Sequence, residues 1–469
     1  MTEVAEASEP STPARPARAP RRAPDDLPFA FVDGALVASL GAARGEPAWL
    51  GVDRAAALVA FEALPVEANR LYTPYVDLRA ASLADAAPYT TAASATAAAP
   101  APDDPAIAGL LELREDGVAV ASLDPAVAAA GVRLLTLGEL VRTDDGLAKA
   151  LIADDPILPA DEKLAQMGRA AWVQGVVLSV PAGVRVERPS VLRWAVGAPR
   201  LLIGRTIIVL GEGAEAQVVE ELVASEGVVA GAQAMLSLTT EIRLEAHARL
   251  ALSSLQETGP DQVVFQQRLA RIGEGADLRW ALAQLGGRLV RSRVDNVLAG
   301  DRSTVEQVEI VYGTEDQLHD LTSYTRHVGR DTTGQLLSKG VLTDRARTYM
   351  KGLIVIEKTA IGTDSFLGEF GMNLSKSARA VAIPSLEIDQ PDCRRAAHSS
   401  SVGPIDETQL FYLESRGISP EDARKFIVLG FLEPVVARVP LEDARDRLRD
   451  ALEAKWLAGS SAAGAATAA

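Results

Sequence analysis

From about Val173 the chain repeats one pattern: a short apolar or alternating run, a corner of small residues, then another alternating run. VVLSVPAGVRVERP, RTIIVLGEGAEAQVVEE, EIRLEAHARLALSSL, RLARIGEGADLRWALAQL and NVLAGDRSTVEQVEIV are five copies. Their corners fall near Gly183, Gly213, Ala246, Gly275 and Gly300, with later ones near Arg345-Ala346, Thr359-Ala360 and Ser377-Ala378. Alternation at period two means strands with one buried face. Small corner residues permit tight turns and close stacking. Degenerate copies at roughly 15–33-residue spacing point to a β-solenoid, each coil covering its neighbour's apolar face. A β-sandwich is the competing reading, but hairpin turns such as Asn-Gly are absent from the sequence.

The flanks have a different period. Residues 1–26, rich in Pro, Ala and Arg, read as a disordered arm. Residues 27–168 read as a helical domain. Pro47 opens a helix whose apolar face carries Trp49, Leu50, Ala56, Leu58, Val59 and Phe61. Thr90–Pro102 is an Ala/Pro-rich linker. Asp124-Pro125 and Asp161-Glu162-Lys163 open further helices. The solenoid is expected over 169–402 and a helical domain over 403–457. In the latter, Asp406 caps one helix and Gly417 ends it. Ser419-Pro420-Glu421-Asp422 starts a second, with Ala423, Phe426, Ile427, Gly430 and Phe431 as its apolar stripe. Pro440 opens a last helix with Leu441, Ala444, Leu448, Leu452 and Trp456 inward, and 458–469 reads as a disordered tail.

Charge and motifs exclude several functions. Lys plus Arg is 47 against 63 Asp plus Glu, a net −16, which argues against a duplex nucleic-acid binder. There is no apolar signal core near the start and no run of about 18 apolar residues, so a soluble cytoplasmic protein without a membrane segment is expected. The single cysteine, Cys393, excludes an internal disulfide and a four-thiolate metal site. No GxxxxGK[ST] loop is present, so the chain is expected neither to bind nucleotide nor to hydrolyse ATP. The two GEGA segments are solenoid corners. GxSxG, HExxH and CxxC are also absent. Of the four histidines, His247 sits at a corner and reads as a surface or stacking residue. His319 and His327 flank LTSYTR, where a structural role and a ligand role are both open. Cys393 and His398 stand just before the C-terminal helices, and thiolate and imidazole are the ligands suited to iron.

Several long segments resemble the SufB/SufD family of iron–sulfur cluster assembly scaffolds. DEKLAQMGRAAWVQGVVLSVPAGVRVERP is similar to the stretch that leads into that family's β-helix. HDLTSYTRHVGRDTTGQLLSKGVLTDRARTYMKGLIVIEKTA is similar to its central part. NLSKSARAVAIPSLEI with HSSSVGPIDETQLFYLESRGIS is similar to its C-terminal signature. The resemblance implies a mainly β chain: a right-handed parallel β-helix between N- and C-terminal helical domains. It also implies a non-catalytic scaffold within a SufBCD complex, with a SufB-like paralogue and a SufC-type ATPase as partners. The paralogues pair through their β-helices and the C-terminal helices dock the ATPase. Closure of the ATPases on ATP opens the interface where iron or a nascent cluster is held transiently.

Within the family, SufB-like chains place a cysteine where this sequence has Glu369, and follow the interface histidine with Glu where it has Ser399. Both departures favour the SufD branch. His398 matches that branch's interface histidine, with Gly403 five residues on. Cys393 stands five residues before it, where SufD-like chains often have a cysteine two before. The resemblance thus nominates His398, Cys393 and Glu369 for iron or a cluster, with His319 and His327 as further metal candidates. For the ATPase it nominates Gln409, Leu410, Phe411, Tyr412, Arg416, Phe426, Ile427, Gly430 and Phe431. The alternatives are a SufB-like principal scaffold, a structural adaptor, and a cytosolic β-helix carbohydrate-active enzyme.

Overall fold

A computed structural model describes residues 29–90, 104–226 and 228–467, with side chains as far as Leu457. The expected arm 1–26 and all of the linker but Thr90 lie outside the described residues. Helix α1, Gly34–Arg44, starts where the Asp33 carboxylate accepts the Leu36 N–H at 2.8 Å and ends at Gly45, whose φ is 57°. Helix α2, Ala48–Ala63, follows Pro47 as expected. Its inward face differs from the one expected: Leu50, Asp53, Arg54, Ala57 and Phe61 are buried, and Val59 points to solvent. The face was misread because it carries ion pairs. Arg54 grips Glu46 with two 2.8 Å bonds, and Asp53 pairs with Arg169.

Residues 104–149 depart further from a purely helical reading. They form β1 (Gly109–Arg114), β2 (Gly117–Leu123), α3 (Pro125–Ala129), β3 (Arg133–Thr136), α4 (Leu137–Thr143) and α5 (Asp145–Lys149). Only the Asp124 cap of α3 was legible. β1 is buried from Gly109 to Leu113, so it shows no alternation to detect. Helix α6, Lys163–Ala171, opens at Glu162 as expected and leads into the solenoid.

The repeat then becomes eight coils, each giving one strand to each of two parallel sheets. The first sheet holds β4 (Gln174–Val180), β6 (Leu201–Leu210), β8 (Met235–Leu244), β10 (Val263–Ile272), β12 (Leu289–Leu298), β14 (Leu318–His327), β16 (Arg347–Ile356) and β18 (Arg379–Ile388). The second holds β5 (Ser190–Val196), β7 (Glu215–Ala224), β9 (Arg249–Glu257), β11 (Asp277–Gln284), β13 (Thr304–Gly313), β15 (Thr333–Leu342), β17 (Asp364–Asn373) and β19 (Arg395–Gly403). Register is kept from coil to coil, so columns form inside: Ile208, Ile242, Ala270, Asn296, Thr325, Ile354 and Leu386 stack in turn. The corner leading from the first sheet to the second carries a left-handed residue in seven coils: Gly183, Gly213, His247, Gly275, Arg302, Asp331 and Gly362. Gly183, Gly213 and Gly275 are expected corners themselves; His247, Arg302 and Gly362 lie one to three residues from others, while Arg345-Ala346 and Ser377-Ala378 fall in the return turns from the second sheet to the first. Close stacking is visible at Gly300, where a Cβ would stand 2.1 Å from the Glu274 nitrogen. His247 is exposed and lies over Gly275, the stacking role expected of it.

Both flanks pack against the solenoid's outer faces. On the first sheet lie α6 and a strap, residues 64–90. Beneath the strap, Arg291 bridges Glu67 at 3.0 Å and Asp320 at 2.7 Å, and Lys351 meets Asp320 at 2.5 Å. The Tyr72 hydroxyl donates to the Gly352 carbonyl at 2.7 Å, and its ring stacks on Tyr324. On the second sheet lie α8 (Pro420–Val436) and α9 (Glu442–Thr467), with α7 (Glu407–Ser415) packed on α8. Val428, Leu432, Val435 and Val436 of α8 and Leu441, Ala444, Leu448, Leu452 and Trp456 form one core with Val308, Ile310 and Tyr312. The inward set of the last helix is the expected one. α9 runs past Leu457 to Thr467, where a disordered tail was expected.

Candidate functional site

The two ends of the solenoid differ. At the first coil β3 pairs antiparallel with β4, and β1, itself paired to β2, lies against β5. At the last coil β18 and β19 have no strand beyond them among the described residues. Such edges offer unpaired N–H and C=O groups to another chain.

His398 and Glu369 belong to this open end. In the β17–β19 ladder Leu367 pairs with His398 and Glu369 with Ser400. Residues two apart share a face, so His398 and Glu369 stand diagonally on the inward side of neighbouring strands. Glu369 is buried, and its carboxylate accepts the Ile383 N–H of β18 at 2.8 Å. Burial pushes this carboxyl up to about 8. Gly352 makes the room: a Cβ there would stand 2.8 Å from Glu369 Oε1 and 2.4 Å from Leu367 Cδ2. His398 is exposed, because no ninth coil covers it. Imidazole and carboxylate are both competent iron ligands. Among the described residues no group of three or more His, Cys, Asp or Glu is placed to hold a metal ion.

The other candidates are placed elsewhere. Cys393 is half-buried in the turn from β18 to β19, against Leu336, Ile354, Ile356, Ala360 and Leu367. It lies near the His398 ladder but faces an apolar wall. His319 and His327 sit at opposite ends of β14, both inside. His327 Nδ1 meets Thr332 at 2.8 Å and Nε2 meets Ser365 at 3.0 Å, which occupies both ring nitrogens. Burial lowers its pKa to about 4 and that of His319 to about 3, the latter helped by nearby Lys455. The fold brings neither to His398.

The α7–α8 surface divides the docking candidates. Phe411, Tyr412 and Phe426 are exposed at 72%, 57% and 58%, and Arg416 lies 5.2 Å from the Tyr412 ring centre. Gln409 and Gly430 are also exposed. Leu410 is buried, while Ile427 and Phe431 are half-buried, the latter under Lys339 at 4.6 Å. Phe431 thus belongs to the interface with the solenoid more than to a free surface. Sequence reasoning missed Ile388 and Val402, apolar yet 46% and 40% exposed on the last two strands. The signal was available: the last copy of a stacking repeat has no successor to cover it.

Residues 194–431, half of the chain, match the family described as SUF system FeS cluster assembly, SufBD core domain. The chain belongs to the SufBD family. It is similar to the iron–sulfur cluster assembly protein SufD of Bacillus subtilis, 27% identical over 327 residues, covering 69% of this chain and 74% of that one. A SufBD family protein of Staphylococcus epidermidis is 24% identical over 340 residues, 72% of each chain. One from Mycobacterium leprae is 31% identical over 220 residues, 45% of this chain and 56% of its own. The family puts the chain in iron–sulfur cluster assembly and gives no support to a carbohydrate-active solenoid. Among the described residues no helix is long and apolar enough to cross a membrane.

Proposed function

We propose that this SufD-type chain is a non-catalytic cytoplasmic subunit of a SufBCD-like complex. Its last coil joins a SufB-like paralogue, and its C-terminal helices carry a SufC-type ATPase. The observation that carries this reading is the asymmetry of the solenoid: one end closed by the chain's own strands, the other ending in bare edges beside His398. His398 and Glu369 offer one half of a ligand set, and the paralogue supplies the rest around iron or a nascent cluster. The neutral imidazole binds metal, and Glu369, being protonated over part of the physiological range, releases a proton when a cation arrives. Phe411, Tyr412 and Phe426 form the ATPase contact, so energy enters through the partner.

The test is His398→Ala in the co-expressed complex. Assembly should be retained, with ATPase turnover unchanged, while iron content and the cluster absorption band fall at least tenfold. A complex that assembles and builds clusters at the normal rate refutes the assignment. Phe411→Ala with Phe426→Ala should release the ATPase and leave paralogue pairing intact.

A further inference from the structure

A cleft of about 270 Å³ opens where the strap crosses the edge of the solenoid. The strap contributes Ser82, Asp85 and Ala87. The rest comes from turns that lead from the second sheet to the first: Arg200 between β5 and β6, Gln233 between β7 and β8, and Arg288 between β11 and β12. The β7–β8 turn takes ten residues, 225–234, where the other turns of this side take four or five. Stacking of coils does not require the extra length. The long turn is tied to the strap: Gln233 Oε1 accepts the Ser82 N–H at 2.7 Å, and its Nε2 donates to the Ser82 carbonyl at 3.2 Å.

Two guanidinium groups share this cleft, and neither forms an ion pair among the described residues, in a chain with 63 acids to 47 bases. Arg288 is half-buried. Its Nη2 donates to Gln233 Oε1 at 2.7 Å. Its Nε has no partner among the described residues; its Nη1 has none either, and is not sealed from solvent. Arg200 is exposed. Its Nη2 donates to the Pro88 carbonyl at 2.9 Å, and its guanidinium carbon lies 4.1 Å from the Tyr89 ring centre.

Neutral partners thus fix the direction of both guanidinium groups and leave their charge unanswered. Asp85 also lines the cleft. It is exposed and pairs with neither arginine among the described residues. The cleft therefore presents two cationic donors and one anionic acceptor that do not satisfy each other.

We propose that this cleft binds a phosphate group that still carries a proton, either inorganic phosphate or the end of a small phosphomonoester. Guanidinium forks suit phosphate oxygens, and Arg200 and Arg288 supply two of them. An ionised carboxylate can only accept a hydrogen bond. Asp85 therefore favours an oxyanion with an O–H over sulfate, which has none at neutral pH. The bound anion joins the strap to the turns before β6 and β12, so it raises the melting temperature by mass action.

The experiment titrates the full-length protein, in chloride buffer at constant ionic strength, with sodium phosphate, sodium sulfate and methyl phosphate, by calorimetry and phosphorus NMR. Saturable phosphate binding is expected, with sulfate weaker by about tenfold or more. Whichever of phosphate and methyl phosphate binds more tightly identifies the source of the group. Arg288→Gln and Arg200→Gln should each weaken phosphate by about tenfold. Asp85→Asn should strengthen sulfate and erase the discrimination. Because both arginines also hold neighbouring groups, a further variant, Ala87→Phe, narrows the cleft with all three charges in place; it should keep the melting temperature and abolish binding. Absence of saturable phosphate binding, equal affinity for sulfate in the unaltered protein, or undiminished binding by Ala87→Phe would each overturn the proposal.

Discussion

The first and last coils are built from the same repeat and end differently. At the first, Leu111 and Leu113 of the added strand β1, and Leu192 and Trp194 of β5 beside it, are at most 1% exposed, and β3 is only Arg133–Thr136. Short terminal strands leave little edge for another chain. At the last, Ser399, Ser400 and Ser401 are exposed together with Ile388 and Val402. The open end is still guarded: Pro384 interrupts β18 without an N–H to give, and Arg379, Glu387 and Arg395 line the edges. A stacking repeat must end somewhere, and here one end is closed within the chain while the other has no strand beyond it among the described residues.

The contrast can be broken most strongly at the closed end. Leu111→Ala removes a buried side chain that the cap cannot replace and should cost about 2–5 kcal/mol in urea unfolding. A loss under ~0.5 kcal/mol would mean that the cap is not part of the cooperative unit. At the open end the effect should move from stability to association. Val402→Arg should shift stability by less than ~0.5 kcal/mol, as surface changes do, while weakening paralogue pairing about tenfold by calorimetry. Equal pairing would remove the last coil from the interface.

The last test concerns Glu369, whose effect is spread over several pH units. Its folded pKa, about 8, lies above the ordinary 4.5. The native chain therefore holds a proton that the unfolded chain has lost, and stability should fall as pH rises from about 4.5 to about 8, with a slope of at most ~1.4 kcal/mol per pH unit. Glu369→Gln should flatten that slope. A wild-type slope unchanged in the variant would assign it to other groups.

How much of this was legible follows from what alternation can report. Strands with one buried face declared themselves, and the coils and corners came with them. β1, buried throughout, did not. The faces of α2 and α8 were misjudged for two reasons. α2 buries Asp53 and Arg54 as ion pairs, which an apolar count overlooks. α8 is apolar on two sides, with Val428 and Leu432 on the core and Phe426 in solvent, so one stripe could not be told from two. The site was legible only in part. The family resemblance nominated Glu369 and His398 as candidates. Their shared face, with Glu369 buried and His398 exposed, needed the register of β17 on β19.

The Tyr72 strap has a consequence for synthesis. Its hydroxyl reaches Gly352, 280 residues later in the chain, and Glu67 reaches Arg291, 224 residues later. On a ribosome the strap emerges long before either anchor exists. Coils can stack on their predecessors as they appear, but the strap cannot dock until β12, β14 and β16 have been made. Translation therefore leaves Tyr72 and Glu67 without these anchors while the first coils form, and their docking waits until the chain has been made through β16.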